Sequence, residues 1–274
     1  MIFPELASKD NPILKKIRKI SDGSPKSSEL LVAVEGVRML EEATLAGCKM
    51  EAILLSEHFG SSSREQNLLN SWQDARIRIY RIKESLFKTL SSVQTPQGAI
   101  ALANVPKKSL KDASSGKNAL MLCALGLQDP GNLGTLIRTA MAAGADMVCT
   151  TKGTVSARNP KALRSSAGAF FRIPVVEHVE AGEFLNHCRK NKIRIYRTDA
   201  RKGIEYTKAD LLSPCALLLG NEGSGITEEE FAGIPSLCIP MAENTESLNV
   251  AVAGSILLFE AFRQRRSLKD NAKP

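Results

Sequence analysis

ALMLCALGLQDPGNLGTLIRTAMAAGA, residues 119–145, is the stretch on which the fold turns. Its first nine residues are almost wholly apolar, the mark of a strand buried on both faces. DPGN then breaks the run, with Pro and Gly where a turn needs them. GNLGTLIRTAMAAGA resumes with helical periodicity, opened by Asn132 as a candidate cap. A buried strand running through a tight turn into a helix is the repeating unit of a parallel α/β sheet.

The unit recurs on the C-terminal side. MVCTT reads as a strand, NPKALRSSAGAFF as a helix with Pro near its start, IPVVE as a short strand and GEFLNHCRKNK as a helix. IRIYRTD, CALLLG and SLCIPM read as strands, and SLNVAVAGSILLFEAFRQRR as a long final helix. Such sheets bind ligands at the carboxyl ends of their strands. That edge collects DPGN, GNEGSG (Gly220–Gly225) and the polar run before the last helix. GNEGSG lacks the Lys-Ser/Thr of a phosphate loop, and its glycines miss the Rossmann spacing. Glu222 within it would repel a phosphate and suits a neutral or cationic ligand; a plain tight turn is the other reading. Arg138 is either a functional cation or an exposed residue or structural ion-pair partner on its helix. Ser247 is either functional or the cap of the last helix.

On the N-terminal side, LLVAVEGVRMLEEATLAG reads as a strand then a helix ending at Gly47, and MEAILLSE and ARIRIYRI as further strands. NVPKKSLKDASSGKN loses all apolar periodicity. The expected organisation is a smaller α/β domain at 1–105, a linker at 106–117, and a parallel α/β domain at 118–274.

A 43% hydrophobic content with no apolar run near a membrane span points to a soluble, cytoplasmic protein. Six cysteines show no zinc spacing and read as small buried hydrophobes. No acidic pair or histidine suggests a metal. The net charge of +8 favours a polyanionic partner. Basic residues cluster in KKIRK, RKNKIRIYRTDARKG and RQRRSLK, which together lean towards nucleic acid.

DPGNLGTLIRTA, LLLGNEGSGI and IPMAENTESLNVAVAG resemble, in order and spacing, the three motifs of the SpoU/TrmH family of RNA 2′-O-ribose methyltransferases. The N-terminal half resembles the L30e-like substrate-binding domain often fused to them. The resemblance implies a C-terminal trefoil-knot (SPOUT) methyltransferase domain, an S-adenosylmethionine cofactor and a homodimer. It implies cofactor contacts at Gly220, Ile239 and Leu248, and functional roles for Asn132, Arg138, Glu222, Ser247 and Asn249. In the family the arginine is the proposed activating residue and reaches the partner's cofactor site. Ala251 stands where the family often has Ser. The expected substrate is 23S-type ribosomal RNA. Transfer RNA, an antibiotic-resistance methylation and a non-catalytic assembly factor are the alternatives.

Overall fold

The computed structural model describes residues 3–22, 30–113, 119–221 and 231–271, with side chains to residue 267. The chain divides into two compact units, 1–107 with 158–171, and 108–157 with 172–274.

The first unit begins with α1 (Pro12–Ser21), where Asn11 accepts from the Ile13 N–H at 2.9 Å and Pro12 takes the first helical position. Leu14, Ile17 and Ile20 fall on one face and are buried. There follow β1 (Leu31–Glu35), α2 (Val37–Leu45), β2 (Lys49–Leu55), α3 (Ser63–Asp74), β3 (Ile79–Arg81), α4 (Glu84–Lys88) and β4 (Ala99–Asn104). The sheet order is β1-β4-β2-β3. β4 runs antiparallel to both β1 and β2, while β2 and β3 are parallel. A core including Leu14, Ile17, Leu54, Phe87 and Leu102 lies between α1 and the sheet.

The second unit carries β5 (Leu120–Ala124), α5 (Pro130–Ala142) and β6 (Met147–Thr151). The chain then contributes α6 (Pro160–Ser165) to the first unit. The second unit resumes with β7 (Val175–Val179), α7 (Ala181–Lys190), β8 (Arg194–Thr198), β9 (Ile204–Glu205), β10 (Cys215–Leu219), β11 (Ser236–Cys238) and α8 (Val250–Asn271). The seven strands lie in the order β7-β6-β5-β10-β8-β11-β9, and every pairing is parallel.

β5 and β10 are buried along their whole length, as their unbroken apolar runs require. On one face Met121, Cys123, Ala216 and Leu218 pack with Phe184 and Cys188 of α7. On the other, α5 and α8 lie against each other and α8 against β10. Gly254 permits this approach. A Cβ there would stand 2.5 Å from side-chain carbons of both Leu136 and Leu219.

The single helix expected over NPKALRSSAGAFF is two pieces. α6 ends at Ser165 because Ala167 and Gly168 turn to positive φ, 49° and 93°, and a 3₁₀ turn follows at Ala169–Phe171. Gly168 is needed twice over, since a Cβ would fall 2.4 Å from Cγ of Glu42.

All six cysteines are free. Cys123, Cys149, Cys188 and Cys215 are buried, and Cys48 and Cys238 partly so. Burial pushes the thiols of Cys123 and Cys149 far up, Cys188 up to about 12 and Cys215 up to about 11. They are inert packing groups at neutral pH. Among the described residues no helix is long and apolar enough to cross a membrane, and no group of three His, Cys, Asp or Glu could hold a metal.

Candidate active site

The carboxyl ends of β5, β8, β10 and β11 and the N-termini of α5 and α8 meet at one edge of the parallel sheet. Asp129, not Asn132, caps α5, accepting from the Gly131 N–H at 2.8 Å. Pro130 begins the helix, so Asn132 falls in its first turn.

Asn249, not Ser247, caps α8. Its Oδ1 accepts from the N–H groups of Ala251 at 2.9 Å and Val252 at 3.3 Å. Those two donors fix the amide's orientation, because only the oxygen can face them. Nδ2 must then point away, and it donates to Asn132 Oδ1 at 3.1 Å. One side chain thus starts α8 and ties it to α5, 117 residues earlier. Thr139 and Ser255 make a second tie, hydroxyl to hydroxyl at 3.2 Å. Arg138 is exposed on α5.

Asn249 also lines a cavity of about 290 Å³. Gly220, Ile239, Ser247, Leu248 and Asn249 all line it. Its walls are apolar where Leu219, Leu237, Leu248, Val250 and Leu257 face it. Its polar groups come from Thr198, Asp199, Asn221, Ser247 and Asn249. Asn221 Nδ2 donates to the Gly126 carbonyl at 2.9 Å, holding the end of β10 to the turn after β5. Thr154 Oγ1 accepts from the Gly126 N–H at 2.9 Å and donates to the Ala124 carbonyl, fixing that turn from the other side. Glu222 lies outside the described residues.

Asp199 is the one charged side chain among the described lining residues. Partial burial pushes its carboxyl up, but the Arg201 and Lys202 N–H groups and the nearby Arg197 and Lys202 charges outweigh this. They hold it below its ordinary range. Thr198, Asp199 and Asn221 escaped the motif-based reading. Their signal was position alone: each is polar and stands at or just beyond the carboxyl end of a parallel strand.

A cavity close to the lower end of the roughly 300–1,000 Å³ typical of small-molecule sites, lined by both apolar and polar groups, fits an adenosyl group with a charged tail. The SpoU rRNA methylase family profile matches residues 119–259, which spans all of these elements. The chain belongs to the SpoU rRNA methylase family. Residues 11–101 match a second family, the MRM3-like substrate binding domain. The 23S rRNA (guanosine(2553)-2′-O)-methyltransferase RlmP of Bacillus subtilis is 31% identical over 256 residues, covering 93% of this chain and 98% of its own. The crystal structure of the SpoU methyltransferase AviRb from Streptomyces viridochromogenes, in complex with the cofactor AdoMet, superposes with a TM-score of 0.85. It is 25% identical and is matched over 94% of this chain and 100% of AviRb. A crystal structure of an RNA 2′-O ribose methyltransferase is 32% identical, with a TM-score of 0.80 over 96% of this chain and 99% of that one.

The basic clusters divide once their partners are visible. Arg263 donates through Nε and Nη2 to the two carboxylate oxygens of Glu260, at 2.8 and 2.7 Å. Arg265 donates to the carbonyls of Leu211 at 2.9 Å and of Ala119 and Ser213 at 3.1 Å. Lys15 pairs with Asp10 and Arg194 with Asp210. Much of the positive charge that suggested nucleic acid is therefore engaged within the protein.

Proposed function

We propose that this SpoU-family protein transfers a methyl group from S-adenosylmethionine to a ribose 2′-hydroxyl of ribosomal RNA. The observation that carries the reading is the Asn249–Asn132 hydrogen bond at the lip of a cavity that Gly220, Ile239 and Leu248 line. Residues from the ends of the parallel strands and the first turns of two helices converge there, where cofactor and acceptor must meet. The names of the RlmP and AviRb relatives support the chemistry and the cofactor.

When bound, S-adenosylmethionine supplies an electrophilic methyl carbon on a sulfonium. The residues around it must place the 2′-hydroxyl in line and ease its proton away as the C–O bond forms. Asn132 and Asn249 hold the two helix ends in one register. Arg138 is a poor base, because guanidinium keeps its proton. Its fork instead binds the phosphate beside the target ribose and favours the alkoxide by charge. Ser247 and Glu222 orient the acceptor or the arginine. The MRM3-like domain supplies the grip on RNA shape and loops that selects the target.

The same reading includes a homodimer and a knot. Val252 and Phe259, seven residues apart on α8, are each 48% exposed, an apolar stripe suited to a second copy of the helix. Arg138 would then serve the partner's cavity. β11 lies on the far side of β8 from β10, and α8 lies against α5 and β10, an arrangement that fits a trefoil knot. Residence in the cytoplasm fits a bacterial-type rRNA enzyme.

The test is methyl transfer from labelled S-adenosylmethionine to unmodified rRNA and, separately, tRNA, followed by digestion to nucleosides. Label in a 2′-O-methyl nucleoside from rRNA is the expected result. Label confined to tRNA, or on a base, would overturn the substrate or the acceptor assignment.

A further inference from the structure

The motif residues leave unassigned the one charged side chain among the described residues of the cavity. Asp199 stands immediately after β8. Its own N–H donates to the Leu237 carbonyl of β11 at 2.9 Å, fixing its backbone to the neighbouring strand. Its Oδ1 accepts from the N–H groups of Arg201 at 2.9 Å and Lys202 at 2.8 Å, which fixes the plane of the carboxylate. The group is thus held before any ligand arrives, and little side-chain freedom remains to be lost on binding.

We propose that Asp199 is a cofactor-binding residue whose carboxylate accepts hydrogen bonds from the vicinal 2′- and 3′-hydroxyls of the adenosine ribose. Three features of the site favour that partner over the other donors of S-adenosylmethionine. An ionised carboxylate is acceptor-only, with lone pairs to spare beyond the two backbone donors, and so matches two adjacent hydroxyls. The ribose is joined rigidly to an adenine that the apolar wall of Leu219, Leu237 and Ile239 can hold, whereas the ammonium ends a flexible tail. An acidic side chain beyond the carboxyl end of a parallel strand is also how dinucleotide-binding sheets take ribose hydroxyls. This inference rests on the adenosyl cofactor, and not on which RNA is methylated.

The experiment is calorimetric binding to the full-length protein of S-adenosylhomocysteine, its 2′,3′-dideoxy analogue and 5′-methylthioadenosine, which keeps the diol but lacks the ammonium. Asp199→Asn is the variant of choice, because its amide oxygen still accepts the Arg201 and Lys202 N–H groups. Wild-type protein should bind the dideoxy analogue about 10- to 100-fold more weakly than S-adenosylhomocysteine. Asp199→Asn should weaken both diol-bearing ligands by a similar factor and leave the dideoxy analogue unchanged. Equal weakening of all three ligands, or no weakening, would overturn the proposal. So would loss for S-adenosylhomocysteine with 5′-methylthioadenosine unaffected, which would move the contact to the ammonium. Should Asp199→Asn fail to fold, Asp199→Ser is read in the same way, and wild-type protein that binds the dideoxy analogue as tightly as S-adenosylhomocysteine overturns the proposal by itself. Failure of wild-type protein to bind S-adenosylhomocysteine at all would instead strike at the cofactor site as a whole.

Discussion

The two ends of α8 use polar side chains in opposite ways. At its start, Asn249 spends its oxygen on the helix and its nitrogen on Asn132, beside a cavity and in reach of solvent. Towards its other end, Arg265 turns back to the amino edge of the sheet, to carbonyls that precede β5 and β10. Glu260, only 7% exposed, is bound by Arg263 and by Gln264. In the proposed function the start of the helix is a working edge, while the turns carrying Glu260 and Arg265 are a clamp. Net charge does not distinguish them, since the arginines most prominent in the sequence belong to the clamp. What distinguishes them is whether carbonyl groups or open space lie within reach.

The sharpest way to break this contrast is to remove one arginine from each kind of site. Arg138→Ala should lower methyl transfer by at least about 100-fold, the scale of losing a positioned charge at a reacting oxygen. Cofactor affinity, read by calorimetry, should stay within a few-fold. Unchanged turnover would remove Arg138 from the working edge. Arg265→Ala should do the reverse. Three backbone carbonyls lose a donor, at a cost of about 1–3 kcal/mol in chemical denaturation, while kcat/KM of the folded fraction stays near wild type. A stable but inactive Arg265→Ala would show that the clamp also serves the chemistry.

Asn249 can be divided between its two roles. Asn249→Ala should cost about 1 kcal/mol for the lost cap and should also lower activity. Asn249→Ser keeps a capping oxygen but has no amide to reach Asn132, so stability should return while activity stays low. Recovery of both would reduce Asn249 to a cap.

The smallest effect concerns pH. The hydrogen bond and charge of Arg263, helped by Gln264, hold the Glu260 carboxyl below its usual range despite its burial. A carboxyl depressed in the folded state contributes stability above its unfolded pKa of about 4.3. That contribution is lost as pH falls through the depressed value. The stability gap between wild type and Glu260→Gln should therefore be present at pH 7 and close in acid. A gap independent of pH would mean that packing, not charge, makes the contribution.

Legibility followed burial at the centre of the second sheet. β5, β6 and β10, apolar and covered on both sides, were plain in the sequence, as was the strand-turn-helix around DPGN. Of the cavity lining, Gly220, Ile239, Ser247, Leu248 and Asn249 fall in the motifs that stand in order along the chain, whereas Thr198 and Asp199 lie outside them. Three features were not legible. α1, α3 and β4 drew no assignment, although Ser62 and Glu65 form a capping box at the start of α3 and Asn11 and Pro12 open α1. Those caps are local signals, but each starts a helix rich in polar residues. The strand order of the second sheet and the grouping of 158–171 with the first unit depend on contacts between distant residues and leave no local trace. The caps were misread for a third reason. Asp129 and Asn132, like Ser247 and Asn249, are all good capping residues within three positions of each other, and propensity cannot choose among them. The choice fell to backbone geometry.

The distribution of thiols makes the protein its own clock. Two cysteines, Cys48 and Cys238, are partly open, while four are sealed in the parallel-sheet unit with their thiolates suppressed. A thiol-specific reagent at neutral pH can reach those four only when that unit opens. Two fast and four slow modifications, counted by mass, would time the opening of the second unit without a label or a probe. A cofactor bound in its cavity should slow the last four and leave the pace of Cys48, which lies in the first unit, as it was.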